Sequence, residues 1–273
     1  MEVLKADTLG FCFGVKRAIE RLLKEAMRRG KPIYTLGPVI HNPQMVEELK
    51  SKGIYPVKDI AELKDGIVAF RTHGIKKEEE EYIKQKGLSI IDVTCPYVKQ
   101  VRKKAIFLKR NGYKVVIIGD KDHPEVKSVL SYLDNDGIVL DNPFFVKEKR
   151  LGVVSQTTQD KGTLYNVVMG LLSGVEELRL YNTICKSTEL RQRDAFELSS
   201  KVDAMVIIGG KDSANTRRLY SIAKQVNPNT YHIETEEEIM PEWFSGLNKV
   251  GITAGASTPG YLIDQVERRL KNL

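Results

Sequence analysis

The chain has few cysteines, a single tryptophan and no long apolar run. Three cysteines occur among 273 residues, and an odd number argues against a disulfide framework. Apolar stretches such as residues 115–118 have the length of a strand, whereas a membrane helix needs roughly 18 or more apolar residues. The first seven residues carry acids where a signal peptide carries bases. We therefore expect a cytoplasmic protein with no membrane partner.

Familiar phosphate and metal motifs are also missing. The sequence contains no GxGxxG, no GxxxxGK[ST] and no CxxC pair. Any phosphate must then be held by side chains that converge from separate loops. The formal charge of +7 suits a phosphate ligand, an acidic protein or nucleic acid. The basic run at residues 102–104 lacks interleaved aromatic residues, so we expect no nucleic-acid partner.

What the chain does have is a regular alternation of apolar runs and amphipathic helices. Each cysteine follows a strand or turn segment and immediately precedes a predicted helix. This alternation is typical of parallel sheets covered by helices, so we predict an α/β fold. The predicted strands include residues 67–70, 89–93, 114–118, 152–155, 204–208 and 250–253.

The cysteines divide the chain into three similar lengths. They are separated by 83 and 90 residues, and 88 residues follow the last one. We therefore predict three α/β units, at residues 1–95, 96–185 and 186–273. Each strand before a cysteine closes the preceding unit, so we expect residues 1–11 to pack with the third.

Polar residues repeat with the cysteines. One set lies 28 or 29 residues after them and consists of His41, His123 and Ser213. A second set lies 61 to 72 residues after them, in loops that follow apolar runs, and consists of His73, Thr157 and Ser257. The carboxyl ends of parallel strands gather at one edge of a sheet and line the ligand crevice. Three such edges facing inward would surround one pocket.

Three thiols at helix N-termini can bind a single metal centre. Three buried and inert cysteines are the alternative, as is zinc, although zinc is weakly supported without a CxxC pair. Ligation of an iron–sulfur cluster fits the thiols better. A four-iron cluster with three protein ligands leaves one iron open to a substrate oxygen. Three ligands therefore favour catalysis over simple electron transfer.

The polar residues then form a candidate ligand cradle. Together with Asn215, the two repeated sets offer hydrogen-bond donors suited to a diphosphate. Taken alone, each histidine favours a structural interpretation, such as His41 capping the helix at Asn42-Pro43, and His232 is interpreted as structural. Glu125 follows His123-Pro124 in a first helical turn, where an acid complements the dipole. Beside a cluster and a histidine it is also a credible proton donor, with Thr157 relaying the proton or holding a hydroxyl.

Eight segments together resemble the 4-hydroxy-3-methylbut-2-enyl diphosphate reductase family. They occur in family order over nearly the whole chain: GFCFGV (10–15), LGPVIHNP (36–43), RTHG (71–74), DVTCP (92–96), DHPE (122–125), SQTT (155–158), NTIC (182–185) and TAGASTP (253–259). The resemblance implies three α/β domains in a pseudo-threefold trefoil around a central cavity. It also implies a 4Fe-4S cluster there, with Cys12, Cys95 and Cys185 as ligands and one open iron.

The same resemblance implies a reaction and a role for each residue. Two electrons and protons remove the allylic hydroxyl as water, giving isopentenyl and dimethylallyl diphosphates. Glu125, Thr157 and His123 form the expected catalytic group. The expected substrate-binding residues are His41, His73, His123, Thr157, Ser213, Asn215 and Ser257. Family members often carry a second serine where this chain has Ala214, which puts one hydroxyl contact in doubt.

A partner and two alternatives accompany this interpretation. Without a dinucleotide motif, the electrons must come from a separate ferredoxin or flavodoxin, whose acidic surface a basic chain attracts. A quinolinate-synthase-like iron–sulfur enzyme is the nearest alternative. A non-catalytic iron–sulfur sensor that binds nucleic acid is the other.

Overall fold

The computed structural model describes residues 1–63 and 66–273. Across these residues the chain forms three parallel sheets of four strands each, together with helices. The predicted α/β class is therefore confirmed. None of the helices in this part of the chain is both long and apolar enough to cross a membrane.

The elements alternate along the chain as the apolar pattern predicts. The strands are β1 (Glu2–Lys5), β2 (Ile33–Leu36), β3 (Ile54–Val57), β4 (Ile67–Phe70), β5 (Ser89–Asp92), β6 (Lys114–Ile118), β7 (Gly137–Leu140), β8 (Glu148–Ser155), β9 (Val175–Tyr181), β10 (Ala204–Ile208), β11 (Thr230–Ile233) and β12 (Lys249–Ala254). The helices are α1 (Phe13–Arg29), α2 (Pro43–Ser51), α3 (Lys77–Gln85), α4 (Pro96–Arg110), α5 (Pro124–Ser131), α6 (Lys161–Leu171), α7 (Lys186–Ser199), α8 (Ala214–Val226) and α9 (Gly260–Lys271).

The three sheets share one topology. Their strand orders are β3-β2-β4-β5, β7-β6-β8-β9 and β11-β10-β12-β1. If the strands of each sheet are numbered one to four by repeat position, all three orders are 2-1-3-4. The fourth strand of the third sheet is β1, whose Val3 pairs with Val250 of β12. Each cysteine thus follows the fourth strand of a sheet.

The chain divides into two compact units. The terminal unit comprises Met1–Lys16, His41–Met45 and Lys186–Leu273, and it contains β1, β10, β11 and β12. Every residue of β10 is buried, because helices cover both faces of this parallel sheet. Its core includes Val206, Ile208, Val250 and Ile252.

The central unit comprises Arg17–Ile40 and Val46–Cys185 and contains the other two sheets. Helix α4 begins at Pro96, a residue suited to the first helical turn because it has no N–H to leave unpaired. Gly112 follows the helix at φ +77°, a conformation that favours glycine. The buried stripe of α4 ends at Leu108, which packs on β8 at Gly152. The predicted boundaries after residues 95 and 185 stay a prediction.

The contact between α4 and β8 gives a test of the packing. A Cβ added at Gly152 would lie 2.7 to 2.9 Å from three atoms of Leu108, so Gly152→Ala should lower the free energy of unfolding by about 1–3 kcal/mol. The same change in a Leu108→Ala background should cost clearly less, because the clashing atoms are gone. Denaturant titration of the four proteins measures this coupling. Gly260→Ala is the control, since a Cβ there meets nothing within 4 Å. Strictly additive effects of the two substitutions would contradict the packing.

Candidate active site

The three cysteines share one pattern of backbone hydrogen bonding, which we call the backbone frame. Each amide donates to a carbonyl in the turn after the third strand of its sheet: Cys12 to Ala256, Cys95 to Thr72 and Cys185 to Thr157, all at 3.0 Å. Each cysteine is of intermediate exposure, and α1, α4 or α7 begins at the next residue. The backbone N–H groups at a helix N-terminus favour a bound group of negative charge.

The loop after the first strand of each sheet also repeats. The amides of Gly37, Gly119 and Gly209 each donate at 2.9 Å to a carbonyl at the end of the second strand. Four residues beyond these glycines lie His41, His123 and Ser213, so the predicted equivalence of this set is confirmed. His123 and Ser213 cap α5 and α8. At α2 the cap falls on Asn42, whose Oδ1 accepts from Met45 N–H at 2.8 Å.

The turn after the third strand of each sheet corrects the alignment of the second repeated set, which was His73, Thr157 and Ser257. Its i to i+3 hydrogen bonds run from Gly74 to Arg71, from Gln159 to Gln156 and from Thr258 to Gly255. In this register His73 and Ser257 match Thr158. Matching them to Thr157 was therefore wrong by one residue, because spacing counted from a cysteine also includes differences in loop length. Thr157 instead supplies the carbonyl that accepts from Cys185.

A buried carboxyl group lies at the start of α5 in the central unit. Glu125 is 1% exposed. Its Oε1 accepts from the backbone N–H of Thr157 at 2.7 Å, and its Oε2 accepts from the Thr157 hydroxyl at 2.6 Å. Burial raises the pKa of Glu125 to about 7, with a further increase from Asp120, while the bonds from Thr157 oppose the shift. Near neutral pH the group can therefore both hold and release a proton.

Two imidazole rings lie at the start of α5, where His123 contacts the backbone of Glu125 and His73 contacts the ring of His123. Nδ1 of His123 accepts from Glu125 N–H at 3.2 Å, so we assign the proton of the neutral ring to Nε2. The rings of His73 and His123 meet edge to face with centroids 5.3 Å apart. The central unit thus brings together His73, His123, Glu125 and Thr157 through successive contacts. The set offers donors for an anion and a group that transfers a proton.

The terminal unit holds the rest of the predicted cradle. Ser257 Oγ donates to His41 O at 3.2 Å, and a Cβ at Gly210 would lie 2.5 Å from the same oxygen. Ser213 Oγ accepts from Thr216 N–H at 3.3 Å. Asn215 is buried, and neither polar atom of its amide has a hydrogen-bond partner within residues 1–63 and 66–273. Unsatisfied buried polar atoms are costly, so this amide is suited to a polar ligand.

Gln156 is a residue that the sequence pattern did not single out. Its Oε1 accepts from Asp120 N–H at 2.9 Å, and its Nε2 donates to Thr158 Oγ1 at 2.7 Å. A Cβ at Gly119 would lie 2.7 Å from Gln156 Oε1, so glycine is needed there. Gln156 therefore ties the turn of Thr157 to the loop before α5. The SQTT segment was the only signal for it in the sequence.

His232 has the structural contacts expected of it. Its Nε2 lies 2.8 Å from Gly209 O, and its ring packs against Tyr220. Ala214 is buried at the first position of α8, between Ser213 and Asn215.

Parallel sheets, thiols at helix N-termini and a buried acid with two imidazoles define an α/β enzyme of anionic substrates. The sequence pattern of the LytB protein family matches residues 3–271. The 4-hydroxy-3-methylbut-2-enyl diphosphate reductase of Aquifex aeolicus (strain VF5) is 48% identical, with 100% of this chain and 97% of that protein covered. The enzyme of the same name from Geotalea uraniireducens (strain Rf4) is 44% identical, with 100% and 98% covered.

Solved structures agree. One of (E)-4-hydroxy-3-methyl-but-2-enyl diphosphate reductase, the terminal enzyme of the non-mevalonate pathway, shares 47% identity at a TM-score of 0.72, with both chains covered completely. The Plasmodium falciparum E-1-hydroxy-2-methyl-but-2-enyl-4-diphosphate reductase shares 25% identity at a TM-score of 0.90, covering 100% of this chain and 87% of that one. The chain belongs to the LytB family of 4-hydroxy-3-methylbut-2-enyl diphosphate reductases, as the sequence motifs predicted. The family match excludes a quinolinate-synthase-like enzyme and a non-catalytic sensor.

The hydrogen bond from the Thr157 hydroxyl can be tested directly. Because this bond lowers the pKa of Glu125, Thr157→Val should raise that pKa above about 7. Infrared titration of the carboxyl stretch in iron-free protein measures it, with Glu125→Gln used to assign the band. Thr163→Val is the matched control, because Thr163 donates to Asp160 instead. An unchanged or lower pKa in Thr157→Val would refute the role of this bond.

The raised pKa also sets a pH dependence of stability. Between the ordinary glutamate pKa of 4.5 and the raised value of about 7, folded Glu125 keeps a proton that the unfolded chain loses. The free energy of unfolding should therefore fall as pH rises through this window, by up to about 1.4 kcal/mol per pH unit from this group. In Glu125→Gln that part of the slope should vanish, as denaturant titrations at pH 5, 6, 7 and 8 will measure. Equal slopes in both proteins would show that Glu125 ionises normally.

Proposed function

We propose that the chain removes the hydroxyl of 4-hydroxy-3-methylbut-2-enyl diphosphate reductively, giving isopentenyl and dimethylallyl diphosphates, at a 4Fe-4S cluster held by Cys12, Cys95 and Cys185. The activity is that of the family to which the chain belongs. The cluster type, its ligands and the roles of the other residues are our proposal. The observation that carries the proposal is the repeated frame in which each cysteine directly precedes a helix.

The donor set fits an iron–sulfur cluster. Three thiols are present, each at a helix N-terminus whose N–H groups and dipole favour negative charge. The frame holds each cysteine by its backbone amide. We propose that the three units, with boundaries after residues 95 and 185, bring these sulfurs to one centre. Such a cluster would pass on two electrons, received one at a time from an external carrier, and its iron without a protein ligand would act as a Lewis acid.

The side chains of the chain bind the anionic end of the substrate. His73 and His123 present imidazole rings, and the N–H of His123 Nε2 suits a phosphate oxygen. In the terminal unit, Asn215 offers an amide that no described residue satisfies. We propose that His41, Ser213 and Ser257 complete the diphosphate site. Holding the diphosphate positions the allylic carbon and its hydroxyl for reaction.

Glu125 and Thr157 move the proton. Protonated Glu125 is compatible with neutral pH because its pKa is about 7. When Glu125 is protonated at Oε2, it can donate to Thr157 Oγ1 across the same 2.6 Å contact, and the Thr157 hydroxyl can give its own proton to the leaving oxygen. Protonation lets the oxygen leave as water. His123 fixes the first turn of α5, from which Glu125 projects.

An acidic one-electron carrier of the ferredoxin or flavodoxin type fits the charge of the chain. The formal charge is +7. Helix α4, which starts directly after Cys95, carries six lysine and arginine residues and no acid. Opposite charges steer such a carrier to the protein.

Glu125→Gln tests the proposed proton path. The amide keeps the size of the side chain but has no proton to give, so turnover should fall by about 100-fold or more while iron content stays unchanged. Anaerobically reconstituted protein is assayed with the hydroxylated diphosphate and a reduced viologen dye. The matched control is Glu148→Gln, an exposed acid at the start of β8. Near-normal turnover in Glu125→Gln would assign the proton to another group.

A further inference from the structure

Arg191 is an unusual residue of the terminal unit because its long cationic side chain is completely enclosed. It lies on α7 and is 1% exposed. Nη1 donates to Thr8 O at 3.0 Å and to Ala254 O at 3.3 Å, and Nη2 donates to Gly10 O at 2.7 Å. Burying a guanidinium group is costly unless its donors are satisfied. The buried guanidinium group of Arg191 therefore indicates a specific structural role.

The carbonyls that Arg191 binds belong to two segments that meet at Cys12. Thr8 and Gly10 lie in the loop from β1 to α1, which ends in Cys12. Ala254 ends β12, two residues before Ala256, whose carbonyl accepts from Cys12 N–H at 3.0 Å. The planar guanidinium group of Arg191 thus connects the two backbone segments that meet at Cys12. Gly10 has φ +69°, a conformation in the left-handed region that favours glycine.

The loops before the other two cysteines are held in a different way. Three residues before Cys95, Asp92 Oδ1 accepts from Thr94 N–H at 2.9 Å. Three residues before Cys185, Asn182 Oδ1 accepts from Ile184 N–H at 3.2 Å. These are Asx turns, in which a side chain fixes its own loop. The matching position before Cys12 is Leu9, which has no acceptor in its side chain.

The loop before Cys12 is also longer than its counterparts. Six residues separate Lys5 at the end of β1 from Cys12, whereas only two separate Asp92 at the end of β5 from Cys95. A longer loop without an Asx turn needs support from elsewhere. One turn further along α7, Asp194 accepts from the Thr8 hydroxyl and adds a second contact to the same loop.

We propose that Arg191, supported by Asp194, is a positioning residue that fixes Cys12 for cluster binding by replacing the Asx turn of the other two loops. The proposal rests on the proposed ligation by Cys12. Lysine cannot take this role, because one ammonium group does not span carbonyls on two backbone segments as a planar fork does.

Hydrogen exchange on iron-free protein tests the positioning without relying on activity. In Arg191→Lys and Arg191→Met, amides of residues 8–12 should exchange about tenfold faster or more, while those of β10 keep the wild-type rate. The control is Arg269→Met, at an exposed arginine of α9, which should change neither segment. After anaerobic reconstitution, both Arg191 variants should hold less than about half the wild-type iron, since the cysteine is no longer held in place. Wild-type exchange and wild-type iron content in Arg191→Met would overturn the proposal.

Both Arg191 variants could also lose protection from hydrogen exchange in β10, and in that case Thr8→Val is the deciding variant. This change removes only the contact with Asp194. Faster exchange confined to residues 8–12 then supports the proposal, and unchanged exchange there overturns it. Failure of cluster ligation by Cys12 can be distinguished from failure of positioning by Arg191. A wild-type protein that binds no cluster contradicts ligation by Cys12, whereas equal iron in wild type and all variants contradicts positioning alone.

Discussion

The hydrogen bond from each cysteine amide to the turn after the neighbouring strand is the constraint on which the proposed site depends. It exists because the third and fourth strands of each sheet are adjacent and parallel, so that their carboxyl ends lie side by side. The turn that accepts from the cysteine also carries a candidate ligand residue, such as His73 or Ser257. The position of the thiol and the position of the substrate contact are therefore set by the same backbone geometry.

The fold places the acid of the site where its proton affinity is raised. Glu125 starts a helix, where the dipole alone would favour the carboxylate. Complete burial has the larger effect and brings the pKa of Glu125 to about 7. The two hydrogen bonds from Thr157 moderate this increase in pKa. Thr157 also accepts from Cys185 N–H through its carbonyl, so one residue couples a ligand loop to the acid.

Much of this organisation could be predicted from the sequence. The α/β class follows from the periodicity of apolar residues. The three repeats, and the equivalence of His41, His123 and Ser213, follow from spacing along the chain, because each repeat builds the same elements in the same order. The pairing of β1 with β12 follows from the strand that precedes each cysteine. Spacing does not resolve loop length, and so Thr157 was matched to His73 where Thr158 belongs.

Other features could not be predicted because they depend on contacts distant in sequence. Arg191 reaches a loop about 180 residues away, and nothing in its local sequence distinguishes it from a solvated arginine on a helix. Gln156 binds Asp120 only because Gly119 leaves space for it. The raised pKa of Glu125 likewise depends on burial, which a single carboxylate in a first helical turn does not reveal.

The central claim is that three thiols, one from each third of the chain, hold one cluster. Mössbauer spectroscopy of ⁵⁷Fe-reconstituted protein, kept anaerobic, tests it most directly, alongside the three single Cys→Ser variants. The account predicts one four-iron cluster per chain with a distinguishable iron that lacks a cysteine ligand, and a marked loss of that signal in all three variants. A wild-type spectrum without a four-iron cluster, or a cluster unaffected by loss of any one cysteine, would contradict it.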